Sequence, residues 1–212
     1  MGIDLEGWPA TRSRCSPDLS DQSSLVLGYL GTLSAQRKLE VLIDSLALLC
    51  ASGLDARLLF VGGSDRPGDQ DQLERRAREL GVLDRIEFTG FLPRTQALER
   101  IQKVDIAPSP FFPTAVLQST SPTKLVEYMA LGLPIVANSH PEQRLILRES
   151  RAGICVPWGA RHFARASLWL ARTGNQNRRA IGECGRTWVI ANRGYSKIAD
   201  AVEVKYLEIL GN

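Results

Sequence analysis

No stretch of this sequence approaches the roughly 18 consecutive apolar residues that a membrane-spanning helix needs. Its first residues also lack the basic-then-apolar order of a secretion signal. The expected location is the cytoplasm, with peripheral attachment to a membrane as the variant. Histidine is scarce: His140 and His162 are the only two, and the four cysteines, at 15, 50, 155 and 184, form no C-x-x-C pair. That excludes the ligand spacings of a structural or catalytic zinc, so no metal site is expected and the thiols read as reduced. Charge is not collected into blocks. Lys and Arg number 26 against 23 Asp and Glu, a net +3 that is scattered along the chain, so nucleic acid is not needed as a partner. Internal repeats and low-complexity tracts are absent as well.

What is present is an alternation. The 212 residues are 44% hydrophobic, enough for a sizeable core. Residues 1–24 are rich in Ser, Pro, Asp and Gly and read as a connector. From residue 25 short apolar runs alternate with amphipathic stretches: LVLGYLG, ARLLFVGG, RIEFTG, VDIAPSP, LPIVA and AGICVPW as strands, with helical periodicity between them. In the helix over DQDQLERRARELGVL the apolar stripe is Leu73, Ala77 and Leu80. Helices are expected over 159–172, 176–191 and 196–210. The pattern predicts one α/β domain over 25–212, a doubly wound parallel sheet of about six strands, Rossmann-like, followed by C-terminal helices.

The most informative stretch is 119–138, STSPTKLVEYMALGLPIVAN. Thr120 and Ser121 are capping residues and Pro122 suits a first helical position, so a helix should begin here. Gly132 and Pro134 end it, and LPIVA has the β-branched, all-apolar character of a strand covered on both faces. Lys124 falls in the first helical turn, where the positive end of the helix dipole disfavours a cation. A bound anion would relieve that conflict. Glu127 shares the face of Lys124, one turn on; two such residues ordinarily make a surface ion pair worth about 0.3 kcal/mol. Beside an anion site, the carboxylate is instead placed for ribose hydroxyls.

This segment resembles the donor-binding motif of the retaining, nucleotide-sugar-dependent glycosyltransferases with the GT-B fold, glycosyl transferases group 1. Ser121, Pro122, Lys124, Glu127, Tyr128 and Met129 match its S-P-x-K-x-x-E-Y-M variant, and MALGLPIVA follows as the family's A-x-G-x-P-V-V-A run does. The commoner form carries an acid eight positions before Glu127, where this chain has Ser119. Met1-Gly2-Ile3-Asp4 looks like the junction that opens the family's C-terminal half. The resemblance therefore implies one half of a GT-B fold, with the acceptor half absent.

In open parallel sheets ligands sit beyond the carboxyl ends of the strands, and the loops there complete the expected site. After the first strand come Gly31 and Thr32, then Arg37 and Lys38. The family has two cations in this loop to grip the diphosphate, and here Thr32 stands where the first would be and Arg37 keeps the second. Gly62 and Gly63 resemble the family's glycines at the second strand end. Phe91 and Leu92 resemble its loop beside the base, and residues 108–113 lead toward the sugar pocket. The family's hexose specificity would lie around Pro113, Thr114, Ser119 and His140.

The implied activity is transfer of a sugar from a nucleoside diphosphate sugar to an acceptor hydroxyl, with anomeric configuration retained. Uridine diphosphate is the commonest carrier in the family and guanosine diphosphate the next; no cofactor is implied. Arg37, Lys124 and the backbone amides of residues 120–123 would stabilise the departing diphosphate. Ser119, Thr120, Ser121, Pro122, Thr123 and Glu127 would form the rest of the donor site. The acceptor, a sugar or lipid-linked glycan, and any acid or base would belong to the missing half, leaving this chain inactive alone. Two other readings remain: a degenerate half-domain serving as a binding or assembly module, and a sugar-nucleotide isomerase relative. The helix at 196–210, without a partner, could drive self-association, and polysaccharide biosynthesis is the associated pathway.

Overall fold

The structure, a computed structural model, describes residues 2–4, 8 and 24–211. Most of the connector expected over 1–24 lies outside these. Six strands and nine helices are present among the described residues. The strands are β1 (Leu25–Leu30), β2 (Ala56–Val61), β3 (Ile86–Phe88), β4 (Ala107–Ser109), β5 (Ile135–Asn138) and β6 (Gly153–Val156). All pair in parallel, as β1-β2-β3 and β4-β5-β6. The expected sheet of about six strands is thus two sheets of three. They meet where β1 runs beside β4, through a parallel bridge of Leu27 with Ile106.

That seam has its own chemistry. The Gly28 amide donates to the Ile106 carbonyl at 3.0 Å and the Asp105 amide to Val26 at 2.8 Å. The Asp105 carboxylate, 3% exposed, accepts from the Val26 amide at 2.9 Å, closing what a continuous ladder would otherwise close. The strand order through the seam is 3-2-1-4-5-6, so the chain reverses direction across the sheet between β1 and β4. A crevice opens at such a reversal.

The helices are α1 (Glu40–Ala51), α2 (Asp69–Glu79), α3 (Arg94–Ile101), α4 (Ala115–Gln118), α5 (Thr123–Ala130), α6 (Pro141–Ser150), α7 (Ala160–Arg172), α8 (Asn175–Asn192) and α9 (Tyr195–Leu210). Two apolar cores lie on the faces of the sheets. One packs α1 and α7, through Leu42, Leu46, Phe163 and Leu170, against Leu27, Leu58 and Phe60. The other places α5 under β4 and β5, with Leu125, Tyr128, Met129, Ile135 and Ala137 buried together. The LPIVA run is the covered strand that its composition predicts, since every residue of β5 is buried.

Gly182 lets α8 approach the turn after α5 closely: a Cβ there would lie 1.9 Å from the Gly132 carbonyl oxygen. The N-terminal residues join this end of the molecule. The Ile3 amide donates to the Arg193 carbonyl at 2.8 Å, and the Tyr195 amide returns to Ile3 at 3.2 Å. α9 continues from there with all residues of 199–210 exposed. None of the helices is long and apolar enough to cross a membrane, among the described residues.

Candidate functional site

A cleft of about 800 Å³ lies at the reversal, walled by Thr32, Ser34, Arg37 and Lys38 from the β1 loop and by Phe112, Thr114 and Leu117 from the β4 loop. The β1 loop is fixed to its neighbour by Gly31 donating to Val61 at 2.9 Å and Leu33 donating to Gly63 at 2.8 Å. Ser34 caps a short 3-10 turn at Ala35–Arg37, which sets Arg37 at the cleft wall.

Close backbone approach explains the glycines. Gly31 and Gly62 have φ of +141° and +132°, the left-handed region. A Cβ on Gly62 would lie 2.3 Å from the Gly31 oxygen, and one on Gly31 would lie 2.3 Å from Cε of Lys124. Lys124 therefore reaches from α5 onto the backbone of the β1 loop. Phe91 lies against Gly63, where a Cβ would meet its ring at 2.7 Å, and is 64% exposed. Leu92 packs into the core instead. Gly31, Gly62, Gly63, Phe91, Arg37 and Lys124 are thus gathered along one rim from four elements.

The Lys124 ammonium sits 5.7 Å from the centre of the Tyr29 ring. Burial pulls its pKa down to about 8, the nearby Arg37 charge pulls the same way, and Glu127 opposes them. Burial raises the Tyr29 hydroxyl to about 12, with Arg37, hydrogen-bonded to it, pulling the other way. Tyr128, buried beneath, accepts from the Leu30 amide at 2.8 Å and locks α5 to the end of β1. Burial holds its hydroxyl well above the ordinary value.

Several expectations change in detail. Lys124 and Glu127 do not pair. Glu127 contacts Arg94 at 3.5 Å, and Arg94 in turn lies over the Trp8 ring at 5.3 Å. Neither Thr120 nor Ser121 caps α5, whose cap position is Pro122. The Thr120 hydroxyl donates to Leu117 and the Ser121 hydroxyl to Glu142, both at 2.8 Å, while Ser119 donates to Val116. A one-turn helix, α4, intervenes, and its carbonyls capture the hydroxyls of Ser119 and Thr120. The Thr120 amide is spent on Leu117 and the Thr123 amide on Ser121. Pro122 has none to give, so of 120–124 the Ser121 and Lys124 amides have no backbone acceptor among the described residues.

Beneath α4 lies a polar network that sequence patterning does not reveal. Asn138, at the end of β5, accepts from the Phe111 amide at 2.6 Å and donates to its carbonyl at 2.8 Å, acting as one more residue of strand. Gln143 is fully buried, and its amide group donates to the carbonyls of Ser109 and Asn138. His140, 2% exposed, accepts at Nδ1 from the Gln143 amide, which leaves Nε2 to donate to Leu117 at 3.1 Å. His140 thus supports α4 from below. Its place in the N-cap of α6, before Pro141, signals the cap but not the contact with α4. Groups of three or more His, Cys, Asp or Glu that could hold a metal ion are absent among the described residues.

The model of the family described as glycosyl transferases group 1 matches residues 24–173. The chain belongs to that family. It is 29% identical over 185 residues to a GDP-mannose-dependent α-(1-6)-phosphatidylinositol dimannoside mannosyltransferase of Mycobacterium tuberculosis, covering 84% of this chain and 44% of that one. Among solved structures, the C-terminal domain of a group 1 glycosyl transferase from Francisella tularensis matches with TM-score 0.68 at 17% identity, covering 91% of this chain and 99% of that one. Anabaena HepE, crystallised with UDP and glucose, matches with TM-score 0.75 at 20% identity over 97% of this chain and 55% of its own. This group 1 chain spans about half the length of such full-length relatives and has the GT-B half-fold that its motif implies.

Proposed function

We propose that this domain binds a nucleoside diphosphate sugar across the β1–β4 crevice and serves as the donor-binding part of a glycosyltransferase. The observation that carries the reading is the reach of the Lys124 side chain onto Gly31, where Gly62 also closes, beside Arg37, with the Ser121 and Lys124 amides at the start of α5 left open. These groups suit a diphosphate: two cations and two oriented N–H donors in a partly dry site. Charge develops on the diphosphate as the glycosidic bond breaks, and groups already aimed at it stabilise that charge without rearranging. Thr32 supplies a hydroxyl there, which orients a phosphate oxygen without neutralising it. Glu127 would hold the ribose, releasing Arg94, and exposed Phe91 would cover the base. Pro122 shapes the turn, and Leu92, packed on the core, anchors the loop that carries Phe91.

The named relatives support both carriers, GDP-mannose for the mycobacterial enzyme and UDP for HepE. The acceptor, a sugar or lipid-linked glycan, and the groups that act on it belong to the part of the relatives outside the matched region, so transfer by this chain alone is expected to be slight. A cytoplasmic site of action, peripheral to a membrane, accords with such acceptors.

Calorimetric titration with UDP and GDP tests this. Saturable binding by the wild type, weakened about tenfold by Lys124→Ala and by Glu127→Ala, is the expected outcome. Absence of binding at millimolar nucleotide would refute it in favour of an assembly module, the reading to which Thr32 and Ser119 lend weight.

A further inference from the structure

Glu142 opens α6, in the turn that follows the His140 cap. A carboxylate there ordinarily serves the helix dipole and nothing else. Here both of its oxygens are spent on distant partners. One accepts from the Ser121 hydroxyl at 2.8 Å, 21 positions earlier in the chain; the other meets the Arg193 guanidinium at 3.3 Å, 51 positions later. Both charged side chains are about three-quarters covered, at 26% and 22% exposure, so screening is reduced and the geometry is held.

Each partner stands at a junction. Ser121 carries one of the two open amides before α5, and its peptide plane is what aims that amide. Arg193 ends α8, lies 5.6 Å over the Trp188 ring, and supplies the carbonyl to which the Ile3 amide bonds. A small cavity of about 210 Å³ lies beside this crossing, between Gly2, Ile3, Asp4 and Tyr195 on one side and Thr123 and Glu127 on the other. The crossing and the start of α5 thus face each other, and Glu142 is the side chain that joins them.

We propose that Glu142 is a positioning residue, fixing the Ser121 segment, which runs on from the cleft wall at Leu117, by tying it to the crossing of Ile3 with Arg193. For its effect on nucleotide this inference rests on the function proposed above; for its effect on the segment it does not. The role differs from a dipole contribution in needing a hydrogen-bond partner for Ser121 and for Arg193 at once; Gln keeps one, its oxygen accepting from Arg193 and its N–H donating to the Ser121 oxygen, and Ala does not.

The experiment is amide hydrogen exchange on the full chain as wild type, Glu142→Ala, Glu142→Gln and Ser121→Ala, followed by titration with UDP and GDP. Glu142→Ala should speed exchange over 118–125 about tenfold, the worth of one charge-assisted hydrogen bond, and leave α1 and β2 unchanged. Nucleotide affinity should fall with it. Ser121→Ala should do the same, the double substitution should add little, and Glu142→Gln should retain most of the wild-type protection and affinity. Unchanged exchange at 118–125 in Glu142→Ala, or acceleration spread evenly over the whole domain, overturns the proposal. A wild type that binds no nucleotide counts against the proposed function alone, because the exchange measurements still decide this one.

Discussion

The Lys124 ammonium loses water on folding and gains Arg37 as a neighbouring cation, so it holds its proton weakly, with a pKa near 8, although Glu127 opposes the shift. Because the folded value lies below that of an unfolded lysine, the unfolded chain binds more protons between the two. Stability should therefore rise with pH from about 8 toward the ordinary lysine value, and the cost of burying the charge is carried in full below 8. Lys124→Met should remove that slope and, at pH 7, stabilise by about 1 kcal/mol once solvent screening is discounted; urea unfolding at pH 7 and 9.5 compares the two. An anion reverses the preference. Diphosphate affinity should fall by up to about tenfold as pH rises past 8 and that charge is lost, which calorimetry at pH 7 and 9 would read. Gly31→Ala acts on the same contact: with φ at +141° and Lys124 Cε in the way, it should cost about 2 kcal/mol in urea unfolding and displace the lysine.

Among the elements, α5 depends on α8. Gly182→Ala would drive a methyl group into the Gly132 carbonyl, and since that is backbone on both sides the helices must part. A loss of about 3 kcal/mol, read as a lowered melting temperature, is expected. α9 should behave oppositely. Its residues from 199 onward are exposed, with Tyr206, Ile209 and Leu210 facing solvent. Deleting 199–212 should shift the melting temperature by no more than about 2 °C. Sedimentation of the two forms would show whether that apolar side drives the self-association expected of it. The helices and strands were legible because burial imposes a period on sequence, as in the apolar Ile135–Ala137 run of β5 or the Leu73 and Ala77 stripe of α2, continued by Leu80 at its C-cap. α4 was not. Four residues capped by Thr114 make no period, and their effect is to take the hydroxyls of Ser119 and Thr120, leaving Pro122 at the cap of α5.

At the scale of the molecule, the motif at 121–137 led to the correct family because it combines fold and chemistry in one segment. Long-range choices stayed hidden: Glu127 pairs with Arg94 rather than its helical neighbour, and the six strands divide into two sheets. Both are settled by packing between segments distant in sequence, where periodicity carries no information. The division has a mechanical side. Four hydrogen bonds along the first half of β1 hold two plates edge to edge, and the cleft opens across the far end of that same join. A molecule lodged there, touching the β1 loop on one plate and α5 on the other, is a splint. Free, the domain should flex as two leaves about a spine; loaded, it should stiffen into one, with exchange slowed on β1 and β5 together although only one of them carries the β1 loop.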